Sequence, residues 1–217
     1  MSTPLTGQQI INSFHLYCGD QSDLSTTDEL NLLNNVYQNV MQSRAWSFLK
    51  KTATGSILTD SSGNAYIPFP SDYRFIIENN QKTDNADTTY NNASQKVIFT
   101  GANYTPNQVV NWSDRRQFRN SAGFVYPDVA NSRFVFTVRP ADTTYEFDYI
   151  ANWPDLTLTT SPLFPADFHN MLFNLMAVDS TIINLFDRSH SYAAENQASA
   201  DRLYKALCYW DSMQTYN

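Results

Sequence analysis

Apolar residues recur at helical spacing near both ends of this chain and change to strand-like alternation between about residues 51 and 161. That order sets two packing problems. Helices from distant ends must find each other, and the middle must fold a sheet that covers its own apolar face. A chain of 217 residues, 42% of them apolar, has enough material for one large core or two small ones. The expected fold class is α+β: a discontinuous helical bundle from residues 1–50 and 162–217, carrying an inserted antiparallel β-sandwich or open-barrel module at 51–161.

Thr6 is placed to cap a first helix from Gly7, which carries Ile10, Phe14, Tyr17 and Cys18 on one face before Gly19 ends it. Thr26 and Glu29 read as the capping box of a second helix, with Asp28 adding charge at the favourable end of the dipole. Its inward face is Leu30, Leu33, Tyr37, Val40 and Met41, and the segment Arg44 to Leu49 closes it with the large rings of Trp46 and Phe48. Helix resumes after Pro162 and Pro165, with Phe168, Leu172, Leu175, Val178, Ile182 and Leu185 as its stripe. In the last helix, about 192–214, Leu203, Leu207 and Trp210 share a face while Tyr204, Cys208 and Tyr209 fall outside it. A helix apolar nearly all round needs covering nearly all round, by its own bundle or by another chain. Leu203, Tyr204, Leu207, Tyr209, Trp210 and Tyr216 are therefore candidate contacts of an assembly surface.

Between them, turn residues cluster at Asp60 to Asn64, Asn79 to Asn85 and Asn103 to Asn107. The clearest strand runs from Arg133 to Arg139, with Phe134, Phe136 and Val138 on one face. A turn at Pro140 to Asp142 then suggests a hairpin to Tyr145, Phe147 and Tyr149, with Glu146 and Asp148 opposite the arginines. Weaker strands fall at Gly55 to Leu58, Tyr66 to Phe69, Tyr73 to Glu78, Lys96 to Thr100 and Gly123 to Tyr126, giving about six or seven short antiparallel strands in all.

No pattern of reactive residues stands out. The glycines are too scattered for a phosphate-cradling loop. His15, His169 and His190 lack spacing for a metal site or a nucleophile pair, so no catalytic residue, metal or cofactor is expected. Cys18 and Cys208 suit separate buried positions and not a disulfide. The opening Met1 to Pro4 lacks the regions of a signal peptide, and the longest apolar stretch, Met171 to Val178, is interrupted by Asn174, so no membrane insertion is expected. A formal charge of −7 argues against gripping nucleic acid over the whole surface. One cluster runs the other way: Arg115, Arg116 and Arg119 beside Trp112 and Phe118. It suits a loop that pairs with acidic residues of a neighbouring subunit, or one that faces DNA.

Three stretches carry a resemblance. Asp28 to Asn34 with Val40 to Lys50, Tyr66 to Tyr73, and Phe164 to His169 resemble, in order and spacing, the head-to-tail adaptor proteins of short-tailed bacteriophages, including the tail tubular protein A group. The β insertion is longer than in compact siphophage-type adaptors. The resemblance implies a structural virion protein without an active site, made in the host cytoplasm. Such adaptors assemble, typically as twelve copies, into a ring beneath the portal protein and carry the tail nozzle, with double-stranded DNA passing through the lumen. The C-terminal candidates would then meet the portal or a neighbouring subunit. The alternative reading is a β-rich tail accessory module that recognises a receptor sugar through exposed Tyr and Trp.

Overall fold

A computed structural model describes residues 2–18, 24–79, 95–179 and 190–214. Its helices are α1 (Gly7–Cys18), α2 (Thr26–Gln42), α3 (Asn170–Ala177) and α4 (His190–Gln214). Its strands are β1 (Lys50–Ser56), β2 (Leu58–Thr59), β3 (Ala65–Pro68), β4 (Tyr73–Ile76), β5 (Glu78–Asn79), β6 (Gln95–Thr100), β7 (Thr105–Val109), β8 (Phe124–Asp128), β9 (Arg133–Phe136) and β10 (Thr144–Ala151). The fold is α+β, and the chain divides into two compact units: residues 1–48 with 154–217, and residues 49–153. All four described helices fall in the first and all ten described strands in the second.

The helix starts show how local chemistry selects the fold. At α1 the Thr6 hydroxyl accepts the Gln9 N–H at 3.3 Å while the Gln9 amide oxygen accepts the Thr6 N–H at 2.8 Å, a reciprocal box that satisfies two free donors. The next donors are met by a distant segment, since Gly7 and Gln8 donate to Thr160 and Leu158 carbonyls at 2.9 and 3.0 Å. That approach is close enough to require glycine: a Cβ on Gly7 would lie 2.3 Å from the Thr157 carbonyl oxygen. At α2 the cap is Ser25 and not Thr26; its hydroxyl accepts the Asp28 N–H at 3.3 Å and donates to the Asp28 carboxylate at 2.6 Å. Glu29 is thereby released from capping. It turns inward, is buried, and meets the ring of His15 on α1.

Within the helical unit, α3 packs on α1, α2 and α4. The buried side chains are Ile10, Ile11 and Phe14 on α1, Leu33, Tyr37, Val40 and Met41 on α2, Met171, Leu172 and Met176 on α3, and Ala200 and Leu207 on α4. Leu30 is only half-buried. The side chains of Tyr17 and Cys18, and residues Gly19, Ile182 and Leu185, lie outside the described part. The resumed helix is interrupted early, because a 3-10 turn at Ala166–Phe168 precedes α3. Residues 154–160 belong to this unit as a strap that ends in a turn at 158–159. Asn34 clamps it with both ends of its amide, donating to the Leu156 carbonyl at 3.0 Å and accepting the Leu156 N–H at 2.7 Å.

The sheet runs in the order β1-β10-β6-β7-β8-β9-β3-β2, with β4 on β10 and β5 on β6. Its two ends, β1 and β2, are adjacent in sequence, so the sheet must curve until they meet, giving a barrel-like module. Ile67, Ile98, Val125, Phe134, Phe136, Phe147 and Tyr149 fill its core. The expected alternation of Tyr145, Phe147 and Tyr149 is present, but the hairpin with the preceding strand is not. β9 stops at Phe136, and Val138 is 39% exposed. β9 pairs with β8 and β3, whereas β10 is covered on one edge by β1 over seven residue pairs and on the other by β6 and β4. Charge follows the same pattern: Arg133 reaches Asp128 at 3.0 Å and Asp60 at 3.1 Å, and Asp148 instead accepts the Thr52 hydroxyl at 2.7 Å across β1.

Two further departures concern β7. Pro106 and Asn107 have poor strand propensity, yet they pair with β6, where Asn107 is buried and donates to Ile98, Thr100 and Thr105 oxygens. β7 also pairs parallel with β8, so the sheet is mixed and not purely antiparallel. The β6 to β7 turn uses Gly101 at φ +68°, where a Cβ would lie 2.2 Å from the Asp142 carboxylate that accepts the Thr100 hydroxyl.

Candidate assembly surfaces

A parallel strand pair cannot be joined by a tight turn, so β7 and β8 need a crossover. Residues 110–123 supply it, and they contain the arginine cluster. A 3-10 turn at Trp112–Arg116 fixes the lobe. Trp112 leans edge-on to Tyr126 with ring centres 5.4 Å apart, and Phe118 stacks on Phe124 at 4.4 Å. Arg115 lies 3.7 Å above the Trp112 ring and donates to the Trp112 carbonyl at 2.6 Å. Of the five candidate residues, Phe118 is therefore an internal anchor and Arg115 a brace for the tryptophan. Arg116 and Arg119 point outward and are exposed, with no ion-pair partner among the described residues. Trp112 stays 46% exposed. One face of its ring is occupied by the guanidinium, which weakens the base-stacking reading.

The second surface is α4. Its inward side is Asn196, Ala200, Leu207 and Asp211, all buried. Leu207 is thus core and not an assembly contact. Leu203, Tyr204 and Trp210 are half-buried. Tyr204 meets Trp46 edge-on at 6.2 Å, while Trp210 lies 6.4 Å from Phe48 and 6.5 Å from Phe168. Asp201, Arg202 and Lys205 are exposed, so the helix is not apolar nearly all round. What faces outward is Tyr209, 70% exposed, with Met213 one turn later at 51%, a residue the sequence reading passed over. Tyr216 lies outside the described residues.

Asp211 is a polar anchor that periodicity alone did not flag. Its carboxylate accepts the Ser47 N–H at 2.6 Å and pairs with Arg44 at 3.2 Å, tying the end of α4 to the segment after α2. Arg44 in turn lies 5.2 Å from the centre of the Trp46 ring. Its position four residues after Leu207 on the inward stripe was the available signal. Among the described residues no three His, Cys, Asp or Glu side chains gather as metal ligands, and no helix is long and apolar enough to cross a membrane. Cys208 carries a free, half-buried thiol.

Each surface exposes large side chains suited to contact with another macromolecule. The family model of the SU10 adaptor protein matches residues 5–214. The chain belongs to the SU10 adaptor protein family. A comparison with curated proteins found no match. The resemblance to bacteriophage head-to-tail adaptors is borne out, and the chain is a structural adaptor of the virion.

The adaptor's N-terminal arm is held by a titratable group. His169 is buried; its Nδ1 accepts the Leu5 N–H at 3.0 Å and its Nε2–H donates to the Phe164 carbonyl at 2.9 Å. Ser2 is bound to the nearby Asp167 carboxylate. Burial holds the His169 imidazole below its ordinary 6.5. A proton on Nδ1 would also remove the acceptor of Leu5. Because the unfolded chain takes up this proton first, the stabilisation is complete above about pH 6.5 and is lost as pH falls through the lower folded value. Melting temperature should therefore drop on acidification below that point. The His169→Gln variant, which keeps one acceptor and one donor but cannot titrate, should show a flatter acid limb. Parallel curves for the two proteins would contradict this account.

Proposed function

We propose that this adaptor forms a homo-oligomeric ring, of the twelve copies usual among the adaptors it resembles, between the portal and the tail nozzle of a short-tailed phage. The observation that carries the reading is the presence of two unlike outward surfaces on one chain. Tyr209 and Met213 lie on the helical unit, and Trp112, Arg116 and Arg119 lie on the β module. A ring needs such a pair, because each subunit presents one surface to the next and a different one behind. The helices from both chain ends serve as a discontinuous bundle that forms the adaptor body, and the inserted module supplies the second surface. In this reading Tyr209, on the same helix as the half-buried Leu203, Tyr204 and Trp210, meets the portal or the adjacent subunit. The net charge of −7 suits passage of duplex DNA through the lumen, since phosphates are repelled and not retained.

The test is to mix the full-length chain with its portal protein and image the product by electron microscopy. A ring stacked coaxially on the portal is the expected result. A chain that stays single in the presence of the portal, or one that forms trimers and binds a cell-surface glycan, would overturn it.

A further inference from the structure

Charge is divided unevenly between the two units. The helical unit, residues 1–48 and 154–217, holds eleven acidic and four basic side chains, a formal −7 that equals the charge of the whole chain. The β unit holds ten of each and is neutral. Within that neutral unit the Trp112 lobe gathers three arginines against one acid, Asp114, in eight residues. Arg116 and Arg119 on it are exposed and have no carboxylate partner among the described residues. On the helical unit Asp28, Asp155, Glu195 and Asp201 are exposed. Three of them accept hydrogen bonds from neutral donors, Ser25, Gln38 and Gln197, which leave their charge uncompensated.

We infer that the Trp112 to Arg119 lobe of one copy docks on the acidic helical unit of the next copy, with Arg116 and Arg119 making the ionic contacts and the exposed edge of Trp112 providing the apolar one. The contact joins two different surfaces and is therefore head-to-tail, the arrangement that propagates around a ring. The lobe is already built for it. Stacking of Phe118 on Phe124 and of Arg115 on Trp112 steadies the backbone that carries Arg116 and Arg119, so the ordering left to occur on binding is mainly that of these two side chains. A second copy is favoured over duplex DNA, because an acidic protein surface offers apolar contact to Trp112 as well as charge, whereas a duplex offers the lobe chiefly phosphates.

This inference rests on the ring reading, and one experiment separates the two. Assembly of the full chain, alone and with the portal, is followed by mass photometry and electron microscopy for the wild type, Arg116→Glu/Arg119→Glu and Arg116→Lys/Arg119→Lys, with binding to labelled duplex DNA measured alongside. The wild type and the lysine pair should assemble, and the glutamate pair should need about tenfold more protein or fail to close, with wild-type assembly weakening as salt rises. Both arginines are exposed and have no ion-pair partner among the described residues, so unchanged melting temperatures will show that the variants fold. If the glutamate pair assembles as readily as the wild type, the docking inference falls while the ring stands. If it assembles normally but loses DNA binding, the lobe belongs to nucleic acid. A wild type that never assembles with the portal removes both.

Discussion

Replacing Trp46 by alanine should destabilise the helical unit by about 3–5 kcal/mol, the usual loss for a fully buried tryptophan. Its ring has no exposed surface, lies 5.6 Å from Phe48 and 6.2 Å from Tyr204, and its Nε1–H donates to the Val40 carbonyl at 3.0 Å. The truncation would open a cavity, leave a carbonyl at the end of α2 with one donor fewer, and free the rings that hold α4 to the segment after α2. Trp46→Phe should recover part of the packing but not the hydrogen bond, and so fall between the two. Urea unfolding followed by circular dichroism measures the series. A loss below about 1 kcal/mol for the alanine variant would show that the site collapses without consequence.

Phe147→Ala should cost a comparable amount, about 3–5 kcal/mol, in the other unit. Phe147 sits on the central strand β10 with Phe134 at 5.5 Å edge-on, Tyr145 and Tyr149 each at 5.9 Å and Tyr73 at 6.4 Å. Across the β1 ladder it faces only Ala53, which cannot fill the space. Hydrogen exchange should show protection lost first in β1, β10 and β4. Exchange that rises equally in α1 and α2 would mean that the two cores do not respond separately.

The readings that succeeded and failed divide along a physical line. Thr6 was legible as a cap because its partner, Gln9, is three residues away. Ser25 was missed in favour of Thr26, since both hydroxyls lie three residues before an acid, and what distinguishes them is tertiary: Glu29 is buried against His15 of α1. Phe134 and Phe147 were both placed in the core, yet the hairpin between their strands was wrong, because nothing local forbids it. It is displaced by β1, about ninety residues earlier, whose seven-pair ladder takes the edge of β10. β7 was invisible for a related reason: its Pro106 and Asn107 pair with β6 on one side only, since β8 joins at Gln108 and Val109, and a position with an open edge tolerates proline.

For the candidate surfaces the sequence named segments and could not assign the orientation of their side chains. Trp112, Arg116 and Arg119 point outward while Phe118 turns in; on α4, Leu207 is core and Tyr209 is exposed. Periodicity, capping and the distribution of charge are written in neighbours a few residues apart, and these determined that the chain alternates helix, sheet and helix. Strand partners, the parallel crossover that lifts the arginine lobe, and the buried Asp211 anchor depend on residues tens to hundreds of positions apart. Only the folded chain decides those, because each is a competition among distant groups that local free energies leave nearly balanced.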